Sequence, residues 1–183
     1  MKNSKKILLS LVLSASMGAA FAGDITAAGS DRSGFISRTP NGLGLGITAD
    51  YVRGDDTSVQ GSASAGAIGL TFAIPISKLT LGAGAKAAYF DADGHGAAPM
   101  LGAFADLAVT DDITVFASSY WAPEGWATGS IERVSDNRIG ARWYPIPLVG
   151  VEAGWREFSI ERTNKARNAL ATDGAYLGVV LGF

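Results

Sequence analysis

The chain has 183 residues, with 24 glycines, 6 prolines, no cysteine and a formal net charge of -2. The slightly acidic balance argues against a general nucleic-acid binder, which needs a basic face. The absence of cysteine excludes a disulfide-stapled fold, and the length suits a single domain.

The first 22 residues have the features of a secretory signal peptide. Lys2, Lys5 and Lys6 precede a short apolar run over residues 7–13, and residues 20–22 read Ala-Phe-Ala. We therefore predict a signal peptide over residues 1–22, with cleavage after Ala22. The apolar run is short, which makes an uncleaved anchor the less favoured alternative. Removing the three lysines leaves 12 basic residues against 17 acidic ones, a net charge near -5 for the exported chain.

The segment that follows, residues 23–41, alternates only weakly. Residues 24–38 are either a lead-in to the folded domain or its first strand, and residues 39–42 (Thr-Pro-Asn-Gly) signal a turn. From Leu43 onward large apolar residues recur at every second position, a period typical of β-strands with one apolar face. The strands predicted from this period cover residues 43–51, 59–73, 78–90, 98–109, 113–121, 131–144, 149–156 and 172–183.

The connections between these strands alternate in length. Short turns fall near residues 75, 111 and 146, and longer polar segments fall near residues 55, 93, 127 and 165. Outer-membrane barrels have short periplasmic turns and longer outer loops. The exported sequence has no apolar stretch long enough for a membrane helix, so it can enter a membrane only as a closed barrel. We predict an all-β fold, a single antiparallel transmembrane β-barrel over residues 42–183.

The predicted barrel has eight strands. Counting residues 24–38 as another strand would give nine, whereas bacterial single-chain barrels have even numbers. The closing segment ends on an aromatic residue and carries an apolar face. It resembles the C-terminal signal that the outer-membrane assembly machinery recognises in bacterial barrels. That signal would consist of Tyr176, Leu177, Val179, Leu181 and Phe183. The alternative is a strand of a soluble β-domain.

Assigning the apolar face to lipid sends the charged residues of the strands inward. The predicted lumenal charges are Asp50, Lys86, Asp106, Arg138, Arg142, Glu152 and Arg156. An Arg or Lys on the lipid face near mid-membrane costs about 2–4 kcal/mol, which explains the segregation of these charges. An eight-stranded barrel is just wide enough for side chains to fill it. The favoured interpretation is a network of ion pairs that fills the lumen, and the alternative is a narrow conduit or ligand-binding interior.

Aromatic residues near the strand ends point to the lipid face. They are Tyr51, Tyr89, Trp121, Trp143 and Trp155. Trp and Tyr concentrate at membrane–water interfaces, so we predict an interface girdle. Core packing in a soluble sandwich is the alternative.

Motifs for catalysis or metal binding are weak in this sequence. His95 lies in a glycine-rich loop, and no histidine follows or precedes Ser118 and Ser119 closely enough to suggest a Ser-His pair. Residues 91–94 (Asp-Ala-Asp-Gly) resemble the start of a calcium loop, but the later glutamate is missing. We predict no enzyme activity, no cofactor and no metal. Four cations flank the outer loops: Arg133, Arg162, Lys165 and Arg167. They either bind the phosphates of lipopolysaccharide or only keep the loops soluble.

Several stretches resemble the YfaZ family of outer-membrane proteins. They are residues 87–90, 120–123, 137–143, 151–156 and 173–179, together with the final Phe183. The resemblance implies a small barrel of the Gram-negative outer membrane and brings no catalytic residues. We therefore expect a monomeric barrel in contact with outer-membrane lipids and lipopolysaccharide, with a structural or interaction role. A narrow transport or ligand-binding barrel is the alternative, and a lipid-modifying enzyme is less favoured.

Overall fold

The computed structural model describes residues 23–31, 33–40, 43–56, 61–91, 95–129, 131–162 and 169–183. The predicted signal peptide and its cleavage site lie outside these residues. Within them the chain forms ten β-strands: β1 (Gly23–Gly29), β2 (Ser33–Pro40), β3 (Gly44–Asp56), β4 (Gly61–Ile76), β5 (Leu79–Asp91), β6 (His95–Ala108), β7 (Ile113–Ala122), β8 (Ile131–Ile146), β9 (Val149–Arg162) and β10 (Ala169–Gly182). The described part of the chain contains no helix that is long and apolar enough to cross a membrane.

The ten strands close into one antiparallel barrel. Each strand pairs with its neighbours in sequence, and β1 pairs with β10 from Asp24 opposite Gly182 to Gly29 opposite Leu177. Gly23 and Phe183 complete this seam by exchanging two backbone hydrogen bonds of 2.9 and 3.0 Å. Closure satisfies the backbone groups that an open sheet would leave at its edges. The predicted all-β antiparallel barrel is confirmed.

The predicted number of eight strands is wrong, because residues 24–38 form neither a lead-in nor a single strand. The chain turns after Gly29, where the Ser30 amide donates to the Ser33 carbonyl and the two serine hydroxyls hydrogen bond at 2.8 Å. The hairpin β1–β2 results, and it restores an even count. Its outward residues include Ala27 and Gly29, which are too small to give the apolar alternation that marks the other strands.

The side chains of each strand alternate between an apolar outer face and the barrel interior. In β5, Leu81 and Tyr89 are exposed whereas Lys86 and Phe90 are buried. β10 follows the same rule, with Leu177, Val179 and Leu181 exposed and Tyr176 and Val180 buried. An exposed band of large apolar side chains around a closed barrel is the surface that a lipid bilayer covers.

The connections distinguish the two ends of the barrel. The shortest, residues 77–78 and 147–148, lie at the same end as the Gly23–Phe183 seam. The strand ends that the two longest connections join, Ala122 to Ile131 and Arg162 to Ala169, lie at the other end. Ser77 and Leu148 have positive φ values of 59° and 71°, as tight hairpin turns demand. By the outer-membrane pattern the short-turn end is periplasmic and the long-loop end extracellular.

The interior has two layers. The extracellular half is filled by apolar side chains, which we call the apolar layer: Phe35, Val52, Phe90, Met100, Val134, Phe158 and Ile160. The loop after β7 is tied to this end, because the Thr128 amide donates to the Ala97 carbonyl at 2.8 Å and Ala127 packs on the same cluster. The charged side chains of the interior lie below the apolar layer, towards the periplasmic end.

Candidate functional site: the charged interior

All seven predicted lumenal charges point into the barrel, where the structure brings them together. The most exposed of these side chains is Asp106, at 17%, and Glu152 is fully buried. Two further carboxylates join them, Asp24 from β1 and Asp136 from β8. The lumenal network, as we call this set, therefore contains four cations and five anions among the described residues: Lys86, Arg138, Arg142 and Arg156 with Asp24, Asp50, Asp106, Asp136 and Glu152.

Glu152 is the centre of the network. Its Oε1 forms an ion pair with Arg138 and accepts a hydrogen bond of 2.8 Å from the Tyr176 hydroxyl. Its Oε2 accepts from Arg142 Nε at 2.8 Å and from the Thr26 hydroxyl at 3.2 Å. One carboxylate thus ties together β1, β8, β9 and β10, including both strands of the closing seam.

A second group of ion pairs lies between Glu152 and the apolar layer. Arg156 donates from Nε and Nη2 to the two oxygens of Asp136, both at 2.9 Å, in a bidentate pair. Lys86 Nζ lies 2.7 Å from Asp50, which also accepts from the Ser37 hydroxyl at 2.7 Å. Ser37 in turn accepts from Arg138 Nη1 at 3.1 Å, which joins this group to Glu152.

Arg142 extends the network towards the periplasmic end. Besides Glu152 it reaches Asp24 on β1 and Asp106 on β6, in both cases from Nη1 at 3.4 Å. Asp106 lies on β6, to one side of β8, and Glu152 and Asp24 lie on β9 and β1, to the other side, so the guanidinium links strands on both sides of its own strand from within.

Aromatic rings complete the surroundings of the cations. Lys86 Nζ lies 3.9 Å from the centroid of the Tyr120 ring, and the Arg142 guanidinium carbon lies 4.3 Å from that of Phe116. The Arg156 guanidinium lies 4.6 Å from the Phe35 ring, which belongs to the apolar layer. Such cation–π contacts are stronger when the groups are desolvated, as they are here.

Little free volume remains inside the network. A cavity of about 40 Å³ is lined by charged and hydroxyl side chains, among them Thr48, Asp106 and Arg156. At 10–15 Å³ per water centre it would admit about three water molecules. Arg156 Nη1 is buried and has no hydrogen-bond partner among the described residues, so a water there would complete its bonding. No group of three or more His, Asp or Glu side chains in the described chain is arranged to hold a metal ion.

The predicted interface aromatics lie on the outer surface. Tyr89, Trp121, Trp143 and Trp155 are each about half exposed, and Tyr51 is partly covered by its neighbours. Tyr51, Tyr89 and Trp121 lie towards the long-loop end of their strands, and Trp143 lies near the short-turn end. Trp155 lies at the middle of β9, so the prediction that it lies near a strand end is wrong.

The residues of the predicted assembly signal divide between the two faces. Leu177, Val179, Leu181 and Phe183 are exposed on the outer face. Tyr176 is buried and takes part in the lumenal network, where Arg138 Nε donates to its hydroxyl at 3.0 Å. The guanidinium carbon of Arg38 lies 5.6 Å from the centroid of the Phe183 ring.

The remaining candidates do not assemble into a site. His95 is exposed, pairs with Asp91 at 3.5 Å and stacks on Tyr89, whereas Ser119 donates to Asn137 on the outer face. Residues 92–94 of the calcium-like loop lie outside the described residues. Among the loop cations, Arg133 lies 3.6 Å from Glu161. The side chains of Arg162, Lys165 and Arg167 lie outside the described part.

The sequence reasoning missed Asp24, Asp136 and Tyr176 as members of the network. Asp136 shares the parity of Arg138 and Arg142 on β8, so the alternation contained the signal. Tyr176 has the same parity as Val180 on β10 but was assigned to the assembly signal. Asp24 lies in the hairpin β1–β2, where weak alternation gave no face assignment.

Comparisons with known proteins agree with the resemblance seen in the sequence. The family model described as YfaZ precursor matches residues 5–183. The outer membrane protein YfaZ of Escherichia coli (strain K12) is 26% identical over 142 residues, which cover 76% of each chain.

Two solved outer-membrane structures are similar to this chain at low sequence identity. The outer membrane channel DcaP of Acinetobacter baumannii is 8% identical with a TM-score of 0.45, over 87% of this chain and 62% of that one. The outer membrane protease OmpT of Escherichia coli is 14% identical with a TM-score of 0.45, over 89% and 94%. Both scores are below 0.5, so neither conduction nor proteolysis follows for this chain.

Proposed function

Because the chain belongs to the YfaZ family and is an outer-membrane β-barrel, we propose that it acts as a closed barrel, with a structural or interaction role and no catalytic one. The observation that carries this proposal is the apolar layer across the extracellular half of the lumen. Phe90, Met100 and Ile160 are each 1% exposed, and Phe158 is 3% exposed. A path for ions or polar solutes would have to cross these packed side chains without hydrogen-bond partners, which is costly.

The lumenal network supports the same conclusion. Its charges are paired with one another across the barrel, and the cavity among them has room for a few water molecules only. A ligand-binding interior would need a cleft of about 300–1,000 Å³, several times larger than this cavity. The favoured role of the charges is therefore to fix the relative positions of the strands.

Planar-bilayer conductance tests the proposal. We expect no steady single-channel currents from the wild-type barrel. The double variant Phe90→Ala/Phe158→Ala removes two rings from the apolar layer and should open the lumen. Tyr89→Ala, which removes a ring from the outer face, is its matched control. Steady currents from the wild-type protein would overturn the closed-barrel proposal in favour of a narrow conduit.

The positions of His95 and Ser118 argue against the alternative of a lipid-modifying enzyme. His95 is exposed and in contact with Asp91 and Tyr89, and Ser118 lines the cavity inside the barrel. We expect the mass spectrum of lipid A to be unchanged when the protein is overexpressed. A new lipid A species that disappears with His95→Ala would contradict the non-enzymatic role.

A further inference from the structure

The hairpin β1–β2 leaves a depression in the lipid-facing surface of the barrel. β1 has seven residues and β2 eight, whereas β3–β10 have ten or more. An apolar crevice of about 630 Å³ lies over this short hairpin, between β3 on one side and β9 and β10 on the other.

Small residues form the floor of this crevice. Gly29 and Gly34 are paired directly across the hairpin, and both belong to the lining. A methyl group added to either would meet its nearest atom at 3.5 or 3.7 Å, which is ordinary contact. Glycine is thus not required there by packing, in contrast to Gly154, where an added methyl would collide with the Ile139 carbonyl.

Larger side chains form the walls. Ile36 and Tyr51 stand on one side, and Val151, Leu177 and Val179 stand on the other. The volume and the apolar lining suit the hydrocarbon chain of a lipid, and clefts that hold ligands have volumes in this range. Since the barrel lies in the outer membrane, acyl chains surround the crevice.

A cation stands beside the crevice at its extracellular side. Arg53 is paired with Gly34 in the register of β2 and β3, and it is exposed two residues above Tyr51 on the same face. On the hairpin side, the neighbours of Arg53 in that row are therefore Gly34 and Gly29 rather than bulky side chains. A guanidinium binds phosphate through bidentate charge-assisted hydrogen bonds.

We infer that the crevice binds one acyl chain of a phosphorylated lipid A molecule in the outer leaflet, with Arg53 bound to a phosphate. Ala27, Gly29 and Gly34 make room for the chain, and Tyr51 lies at the level of the headgroup. The extracellular position of Arg53 selects the outer leaflet and hence lipid A over the phospholipids of the inner one. The inference does not depend on whether the lumen is closed.

Native mass spectrometry of the full exported chain in detergent tests this inference. The probes are diphosphoryl lipid A, phosphatidylglycerol and phosphatidylethanolamine, each titrated against the same barrel. We expect one lipid A per barrel. Arg53→Gln should weaken its binding about tenfold, as for the loss of a charge-assisted hydrogen bond. Gly29→Leu should weaken it similarly by filling the crevice. Asp31→Asn, which removes the exposed carboxylate of the turn after Gly29, should strengthen it.

Two variants elsewhere on the barrel serve as controls. Lys78→Gln removes an exposed cation at the short-turn end of the barrel, and Ala83→Leu enlarges an outward residue of β5; neither should change lipid A binding. Equal binding to wild type, Arg53→Gln and Gly29→Leu would overturn the inference. Equal affinity for lipid A and phosphatidylethanolamine would overturn it as well. So would the finding that the barrel dimerises in place of binding lipid and that Gly29→Leu abolishes this dimer.

Discussion

Glu152 is the residue whose loss should most disturb the interior. Its two oxygens bind the side chains of Arg138, Arg142, Tyr176 and Thr26. Removing one partner of a buried ion pair leaves the charge of the other partner uncompensated. We predict that Glu152→Gln lowers the free energy of unfolding by about 3–5 kcal/mol. Urea unfolding of the barrel in detergent micelles measures this value.

Glu157→Gln is the matched control, since Glu157 lies on the same strand but is exposed on the outer face. The same chemical change there should alter stability by less than about 0.5 kcal/mol. Similar small effects of both substitutions would mean that the charges around Glu152 are solvated, and would contradict the paired interior.

At the scale of single residues, alternation along a strand is a good guide to the face but not to the partner. The parity of Lys86 and Arg142 follows from their apolar neighbours, and it predicts an inward direction. The pairing of Arg142 with Asp24, 118 residues away, depends on strand order and on closure of the barrel, neither of which local sequence specifies.

Paired glycines in β8 and β9 leave room inside the barrel for large side chains of the neighbouring strands, Phe116 of β7 and Tyr176 of β10. Gly140 and Gly154 face each other in the register, and a methyl group on Gly154 would meet the Ile139 carbonyl and lie 2.8 Å from the Tyr176 hydroxyl. We predict that Gly154→Ala destabilises the barrel by about 1–3 kcal/mol through overpacking.

Gly174→Ala is the control, because an added methyl there meets nothing within 4 Å. Gly174 lies on β10, opposite Arg156 of β9, and its substitution should leave the unfolding midpoint unchanged. If Gly154→Ala also left the unfolding midpoint unchanged, the predicted overpacking would be contradicted.

The closing strand β10 allows a prediction about assembly. If its exposed apolar face is read by the assembly machinery, Phe183→Ser should reduce the amount of barrel in the outer-membrane fraction severalfold. The seam itself uses the backbone of Phe183 rather than its ring, so the purified variant should refold with nearly normal stability. Val109→Ser, at an exposed apolar position of a short turn, is the control. Normal outer-membrane levels of Phe183→Ser would count against the signal.

At the scale of elements, the strands from β3 onward follow from the period of two, whereas the hairpin β1–β2 does not. Ala27, Gly29 and Gly34 replace the large outward residues that mark the other strands. The turn between β1 and β2 is made by serine side chains, without the proline or Asn-Gly signals present near residues 40–42.

For the whole molecule, closure and the internal ion pairs predict resistance to detergent. The unboiled protein should migrate faster in SDS gels than the boiled protein, because the intact barrel is compact and binds less detergent. Glu152→Gln should lower the temperature at which the fast-migrating band disappears, whereas Glu157→Gln should not. Identical migration of boiled and unboiled wild-type samples would contradict a stable closed barrel.

The even strand number of bacterial barrels favours eight strands over nine when residues 24–38 count as one segment, whereas the structure divides this segment into the two strands of the hairpin β1–β2. The division of the interior into two layers was less accessible. Phe90, Met100 and Phe158 share the inward parity of Lys86 and Arg156 on their strands or neighbouring ones, and parity alone does not say how high in the barrel each side chain lies. Height depends on strand tilt and register, which are properties of the closed sheet.

The apolar layer has a consequence for the calorimetry of this barrel. Detergent or lipid continues to cover the outer face after the strands separate, but Phe90, Met100 and Ile160 would then meet water. Exposure of apolar surface to water raises the heat capacity, by about 0.45 cal/K/mol for each Å². Unfolding should therefore show a positive heat-capacity change like that of a water-soluble domain, and the barrel should lose stability on cooling as well as on heating.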